Sequence, residues 1–227
     1  MGKENRSAAK MRVEVWSDIV CPFCYIGKKN FESALSVFPD RGSIEVVWKS
    51  YQLSPDLSTD TSISVDQYLV RHKGISMEEA RELNAYVTGL AAKAGLSFHL
   101  DKAVVANSLR AHRFLHLARQ YGRQNEAAER LFMAYFTEGK NIDDINILAE
   151  IGAAAGLEAG LVKKTLQGDA FTDAVRMDQL EAERQDVQGV PYFRFNDAYS
   201  VSGAMPPAVF QETMEKSYRE WKGGMSR

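Results

Sequence analysis

Cys21 and Cys24 are the only cysteines in this chain, and they stand in the order Cys21-Pro22-Phe23-Cys24. That spacing closes a small disulfide ring. The pair follows a strand-like run, Met11 to Trp16, and precedes a helix-like one, Phe23 to Val37. A strand-to-helix junction sets the first sulfur at a helix N-terminus, where unpaired N–H groups and the helix dipole favour an anion. The thiolate is the nucleophile of thiol–disulfide exchange. Cys21 is therefore the candidate nucleophile and Cys24 the candidate resolving thiol. Cys21 attacks a substrate disulfide to give a mixed disulfide, then Cys24 attacks Cys21 and releases the reduced product. Run in reverse, the same steps oxidise a dithiol. Pro22 is cheap in the first helical turn, where no N–H is needed. Two cysteines that merely pack are disfavoured by this junction. Half of a zinc site is disfavoured because no second Cys pair exists and the histidines are distant in sequence.

Other residues bear on the same chemistry. Val190–Pro191 opens a strand after Gly189. A proline is allowed at a strand start on steric grounds alone. The sharper alternative is a cis bond that leaves the Val190 backbone free to pair with an extended substrate beside Cys21. Pro22, Phe23, Val190 and Pro191 are thus the candidate substrate-binding residues. His112 and His116 share a helix face, but the intervening Arg113, Phe114 and Leu115 give no H-E-x-x-H motif. Arg110, Arg113 and Arg119 on the same helix disfavour a cation, so no metal site is expected and a polar helix face is the plainer reading. Alternatively Asn107, Arg110 or His112 faces the cysteines, where a positive group would favour the thiolate. Asn107 and His112 are the candidates for such tuning. His72 and His99 carry no signal. Asp18 is expected to cap a turn rather than accept a proton. Strand alternation puts Glu14 and Glu45 at solvent or a rim, rather than beneath Cys24 as a base. Glu138, Lys140, Asp143 and Asp144 are expected to cap neighbouring helices.

These residues must be held by a larger frame. Val13 to Ser17 reads as a strand, Phe23 to Val37 as a helix and Ile44 to Lys49 as a second strand, with the turn signal Pro39-Asp40-Arg41-Gly42 between. A helical connection makes the two strands parallel. From about Ser64 to Phe171 nearly everything reads as helix, broken at Gly74, Gly95, Gly122, Gly139 and Gly156. Ser76 with Glu79 forms a capping-box pattern, and single helices are expected over Asp101–Tyr121, Gln124–Thr137, Asp143–Ala155 and Leu157–Leu166. Asp173–Asp186 returns to the sheet. Pro191–Phe195 and Tyr199–Ser202 form a hairpin around Asn196-Asp197, and Pro206-Pro207 opens a last helix to Trp221. The fold class is α/β, with an all-helical domain inserted into one layer. The expected boundaries are a disordered leader over 1–10, a discontinuous α/β domain over 11–62 and 173–222, a helical insertion over 63–172, and a frayed tail over 223–227. With 227 residues, 45% hydrophobic and 26% charged, the chain has material for a full core. A net charge of -2 gives no basic field for nucleic acid. No apolar run approaches the roughly 20 residues that span a bilayer, and the polar, charged start lacks the apolar stretch of a secretory signal.

Five stretches in order resemble the DsbA-like thioredoxin-fold oxidoreductases, and in particular their FrnE-like branch of largely cytosolic bacterial proteins. They are Ser17 to Gly27, Asn107 to Arg113, Ala134 to Ile142, Gly189 to Phe193, and Val201 to Ala204. The resemblance runs over roughly Arg12 to Trp221. It implies a thioredoxin fold split by a helical insertion, a nucleophilic Cys21, a resolving Cys24, a cis Pro191 beside them, and the helix bearing Asn107 and His112 over the site. Where that branch usually has Trp, and the familiar periplasmic oxidant His, this chain has Phe23, so a less oxidising disulfide is expected. The glutathione-dependent chromene-carboxylate isomerases and kappa-class transferases are similar in architecture but carry Ser at the position of Cys21. Two cysteines here argue for dithiol chemistry. A peptide-binding chaperone with a cleft of Phe23, Tyr25, Pro191 and Tyr192 is a third reading. The expected protein is a cytoplasmic thiol–disulfide oxidoreductase with no organic cofactor and no metal, acting on protein or small thiol and disulfide substrates. Neither nucleic acid nor membrane is an expected partner. With no second internal cysteine pair, glutathione as co-substrate or a separate reductase must recycle it. A monomer or a homodimer is expected.

Overall fold

The computed structural model describes residues 9–225. Residues 1–8 of the expected leader and residues 226 and 227 of the expected tail lie outside the described residues. The elements run β1 (Met11–Ser17), α1 (Pro22–Ser36), a 3-10 turn (Arg41–Ser43), β2 (Ile44–Ser50), α2 (Val65–Lys73), α3 (Met77–Lys93), α4 (Leu109–Gln120) and α5 (Gln124–Phe136). They continue through α6 (Ile145–Ala154), α7 (Ala159–Gln167), α8 (Thr172–Arg184), β3 (Tyr192–Phe195), β4 (Tyr199–Ser202) and α9 (Pro207–Met225). The sheet order is β2-β1-β3-β4. β1 and β2 are parallel, with Val15 opposite Trp48, and β3 is antiparallel to β1, with Val15 opposite Phe193. β3 and β4 close as the expected hairpin.

Central β1 is covered on both faces, which is why its run is buried almost throughout. On one face Val13, Val15, Phe193 and Phe195 meet Phe31 of α1 and Phe210 of α9, whose rings pack with centroids 4.7 to 6.2 Å apart. On the other face Trp16 packs with Ala182 and Val187. This second cover overturns the expectation for Glu14. Alternation places a residue at solvent only when one sheet face is wet, and Glu14 is instead buried among Arg12, Lys49 and Arg194. Glu45 is exposed, as alternation required. The edge strand β2 is also covered: the Gln124 side-chain amide accepts from the Trp48 N–H at 3.1 Å and donates to its carbonyl at 2.9 Å.

Local signals set several helix starts. Ser64 with Gln67, and Ser76 with Glu79, form reciprocal capping boxes at α2 and α3. Asp144 caps α6 as expected, whereas Asp143 instead pairs with Arg110 at 2.8 Å and accepts from Thr59. The single helix expected over Asp101–Tyr121 does not form, and α4 begins only at Leu109. The Asn107 side chain accepts from the Leu109 N–H and donates to the carbonyls of Pro55 and Leu57, fixing the preceding segment as a loop. Asp60 pairs there with Val105 across an isolated bridge. The tail expected to fray at Gly223 continues α9 to Met225. Extending a docked helix costs only about 1 kcal/mol per glycine relative to alanine.

A buried ionic cluster fastens α8 to the sheet. Asp178 accepts from the Ser50 N–H at 2.8 Å and lies 3.1 Å from His116 Nε2 and 3.2 Å from Lys49 Nζ. Its carbonyl accepts from Trp16 Nε1 at 3.0 Å. Burial alone would push the Asp178 carboxyl up. The hydrogen bonds from His116 and Ser50 and the charge of Lys49 outweigh that and hold it below its ordinary value. A carboxyl lowered by folding contributes stability above its unfolded value, and that contribution is lost as pH falls through the folded value. Asp178→Ala should therefore lower the unfolding free energy at pH 7 by about 3 kcal/mol and flatten the acid limb of the stability curve. Urea unfolding across acid pH checks both, and an unchanged midpoint would mean that the cluster contributes nothing.

Candidate active site

Cys21 is the N-cap residue of α1, in extended backbone, and Pro22 follows as the first helical residue. Both thiols are free. The backbone turns tightly here, with the Cys24 N–H donating to the Cys21 carbonyl at 3.0 Å. Cys24 is fully buried, whereas Cys21 retains 5% exposure and Phe23 stands out at 38%. The Cys21 thiol donates to the Val190 carbonyl at 3.8 Å, and the Val190–Pro191 bond is cis. Four of the expected site residues are thus brought together: Cys21, Cys24, Val190 and Pro191. Pro22 and Phe23 form the rim beside them.

The two sulfurs are in unlike surroundings. The Cys24 thiol is raised well above its ordinary value, first by burial and then by the hydrogen bond and charge of the neighbouring Cys21. The Ser17 hydroxyl and the Asp18 N–H, 3.4 Å from the sulfur, oppose this without reversing it. Cys24 is therefore held as a protonated thiol at neutral pH.

Asp18 fulfils the expected turn role and more. One carboxylate oxygen accepts from the Leu53 N–H at 2.8 Å; the other lies 3.5 Å from the Val20 nitrogen and 3.3 Å from His112 Nε2. Asp18 and His112 are both buried, and His112 Nδ1 has no hydrogen-bond partner among the described residues. His112 thus reaches the thiols only through Asp18. Asn107 does not reach them: its side chain bonds Gln52, Pro55, Leu57 and Leu109 and orders the loop that Asp18 holds from the other side. His116 turns away to Ser50 and Asp178, and Arg113 donates to the carbonyls of Thr165, Gly168 and Ala170. The histidine pair therefore shares no ligand, and the described residues contain no cluster of three or more His, Cys, Asp or Glu side chains suited to a metal. No described helix is long and apolar enough to cross a membrane.

Two features were not read from the sequence. Gly27 faces Pro191 so closely that an added Cβ would lie 2.8 Å from its Cγ, so α1 approaches the Pro191 turn only because the side chain is missing. A glycine inside an amphipathic helix is the signal that marks such a contact. The second is a cavity of about 410 Å³ that opens beside Cys21, between the first turn of α1, the 53–57 loop, α2, α3 and the end of α5. Its walls come from segments far apart in sequence, so no local pattern announces it.

The profile of a family described as DSBA-like thioredoxin domain matches residues 12–215. The crystal structure of a probable DsbA oxidoreductase from Streptomyces coelicolor is 36% identical, covers 92% of this chain and 91% of that one, and superposes with a TM-score of 0.85. The uncharacterized protein YwbO of Bacillus subtilis is 27% identical over 215 residues, 92% of this chain and 98% of that protein. The cytosolic disulfide reductase DsbM from Pseudomonas aeruginosa, 16% identical with a TM-score of 0.64 over 92% of this chain and 98% of that one, shares the fold. The sheet with its helical insertion agrees with these matches: the chain belongs to the DsbA-like thioredoxin-domain family.

Proposed function

We propose that this protein is a thiol–disulfide oxidoreductase of the FrnE-like branch, with Cys21 as nucleophile and Cys24 as resolving thiol. One observation carries the reading: a free thiol stands on the N-cap residue of α1, Cys21, beside a second free thiol buried one turn further on. In the reductive direction the Cys21 thiolate attacks a substrate disulfide. The substrate S–S bond breaks, a Cys21–substrate disulfide forms and the first substrate sulfur leaves as a thiolate. Cys24 then gives up its proton and attacks Cys21 Sγ, forming the Cys21–Cys24 disulfide and expelling the second substrate thiolate. Two electrons pass from the protein to the substrate, and the two protons of the dithiol end on the released thiols. The oxidative direction reverses each step.

Pro22, Phe23, Val190 and Pro191 form the surface that a substrate sulfur meets, and His112 acts by positioning Asp18, while Asn107 orders the facing loop. The reaction needs no organic cofactor or metal. Glutathione or a separate reductase recycles the pair, and the proposed compartment is the cytoplasm, where a lone C-x-x-C pair fits redox use better than structural use. Phe23 supplies no charge to the Cys21 thiolate, which favours a disulfide less oxidising than that of the periplasmic oxidants.

Titration of the pair in graded glutathione buffers, read by thiol alkylation and mass, tests the reading. A single reversible transition between about -270 and -120 mV is expected. Absence of any intramolecular disulfide would overturn it, and a glutathione adduct on Cys21 alone would then favour a glutathione-dependent isomerase or transferase.

Two further outcomes follow from the unlike thiols. Brief alkylation of the reduced protein at neutral pH should modify Cys21 and spare Cys24, as peptide mass mapping would show; equal labelling would contradict the burial argument. The resolving step should be limited by Cys24 deprotonation. Once Cys21 is in a mixed disulfide its hydrogen bond and charge no longer raise Cys24, but burial, the largest cause, remains. Release of product from the isolated mixed disulfide should then speed up on the order of tenfold per pH unit through the neutral range. Cys24→Ser should trap that intermediate, and rapid quenching at a series of pH values measures the slope.

A further inference from the structure

The cavity beside Cys21 limits what can be joined to the sulfur. Cys21 and Phe23 stand at its edge, and its floor is formed by Val87, Val105, Ala106 and Phe136, each no more than 4% exposed. The floor therefore lies in the interior of the molecule and is hydrocarbon. At about 410 Å³ the space falls in the range that holds a small organic molecule. The wall is largely but not wholly apolar: Asp18 is its carboxylate, with oxygens already taken by Leu53, Val20 and His112, and Lys73, Tyr68 and Asn84 add polar groups from α2 and α3.

This lining discriminates between classes of thiol substrate. An extended peptide brings an N–H and a carbonyl with every residue, and leaving such groups unpaired in an apolar cavity is costly. Glutathione carries charged groups at both ends; Lys73, exposed at the end of α2, can meet one carboxylate, but the remaining charges face the same penalty. An alkyl or aryl group pays none of it and gains from each methylene withdrawn from water. Resting on the dithiol reading above, the geometry points to a small disulfide or thiol with an apolar body as the substrate, its sulfur at Cys21 and its hydrocarbon in the cavity. The reaction is the exchange already written: Cys21 takes the apolar half as a mixed disulfide, the other half leaves as thiolate, and Cys24 releases the apolar thiol. One turnover of the reduced protein needs no further reductant.

The test uses the reduced full chain and mixed disulfides in which alkanethiols from methyl to octyl are joined to one chromogenic aromatic thiol. The chromophore is the common leaving group, so its release reports attack by Cys21. Each rate constant is divided by that of free dithiothreitol with the same probe, which removes differences in intrinsic reactivity. The normalised constant should climb by about fourfold per methylene until the cavity is filled. Leu83→Trp, from the α3 wall, should shorten the chain length at which the rise stops. A short cysteine peptide and glutathione, joined to the same chromophore, should react more slowly than the hexyl and octyl probes.

A flat series, with the methyl probe reacting well, would overturn the apolar-substrate inference and leave the dithiol chemistry intact. The same follows if the peptide probe outpaces octyl, which would assign the site to polypeptides. Failure of every probe, with both thiols shown to be reduced, would instead overturn the dithiol reading, and the inference with it. The wild-type series decides the matter even if Leu83→Trp does not fold.

Discussion

Lys28 carries its charge into the molecule with no solvent exposure, because Glu129 of α5 and Glu32 of its own helix meet the ammonium at 2.5 and 2.6 Å. Glu129 also accepts from Lys29 at 2.7 Å and from the Tyr25 hydroxyl at 3.0 Å. Burial alone would push the Glu129 carboxyl up, but the two lysines hold it below its ordinary value. A buried ion pair adds little net stability over a hydrophobic contact, yet breaking one is costly, because the remaining charge is stranded. The cluster therefore acts as a constraint on position: α1 has one low-energy seat against α5. Since α1 carries Cys21 at its start and Gly27 against Pro191, that seat also sets the thiols relative to the Val190 carbonyl.

The opposite face of the sheet repeats the device with different partners. Glu14, Lys49, Arg194, Asp178 and Glu181 join three strands to α8, and Lys49 and Arg194 also lie over the Trp16 ring. One charged clasp ties the helices inserted after β2 to α1, and the other ties α8 back to the strands. Between them the sheet cannot shift against its covers without stranding a charge. The wall built from α2 is different. None of its residues is fully buried, and few buried contacts mean low local stability. The floor of the cavity is thus buried in the core, whereas its outer wall on α2 is the less buried and less stable part.

The legible parts of this protein were those whose cause is local. The strand–helix junction at Cys21, the parallel β1–β2 pair, the Ser76–Glu79 box and the Asn196-Asp197 hairpin are each written within a few residues. Elsewhere distant residues decide. Alternation puts Glu14 at solvent or a rim because it assumes one wet face, whereas α8, more than 150 positions later in the chain, covers that face. α4 starts later than its pattern suggests because the loop before it is held by Asn107 bonding to Pro55 and Leu57. Asp18 and His112 are 94 positions apart, and nothing near either announces the other. Gly27 alone left a trace, since a glycine in mid-helix carries a cost of about 1 kcal/mol relative to alanine that only a close approach offsets.

Asp18 is where the local and the distant parts meet. Its backbone N–H faces the Cys24 sulfur, one oxygen holds the Leu53 N–H, and the other faces His112. The thiol chemistry depends on the first contact and the mouth of the cavity on the second, since the side chain of Leu53 lines it. A neutral residue at this position would disturb both, so it reports on neither separately. Leu83, on the far wall and with no contact to the sulfurs among those described, changes the shape of the cavity while Asp18 keeps its bonds. On the proposed reading, the reactivity of the sulfur and the choice of its partner are therefore carried by different parts of the fold, the first by the α1 junction and the second by the helices inserted after β2.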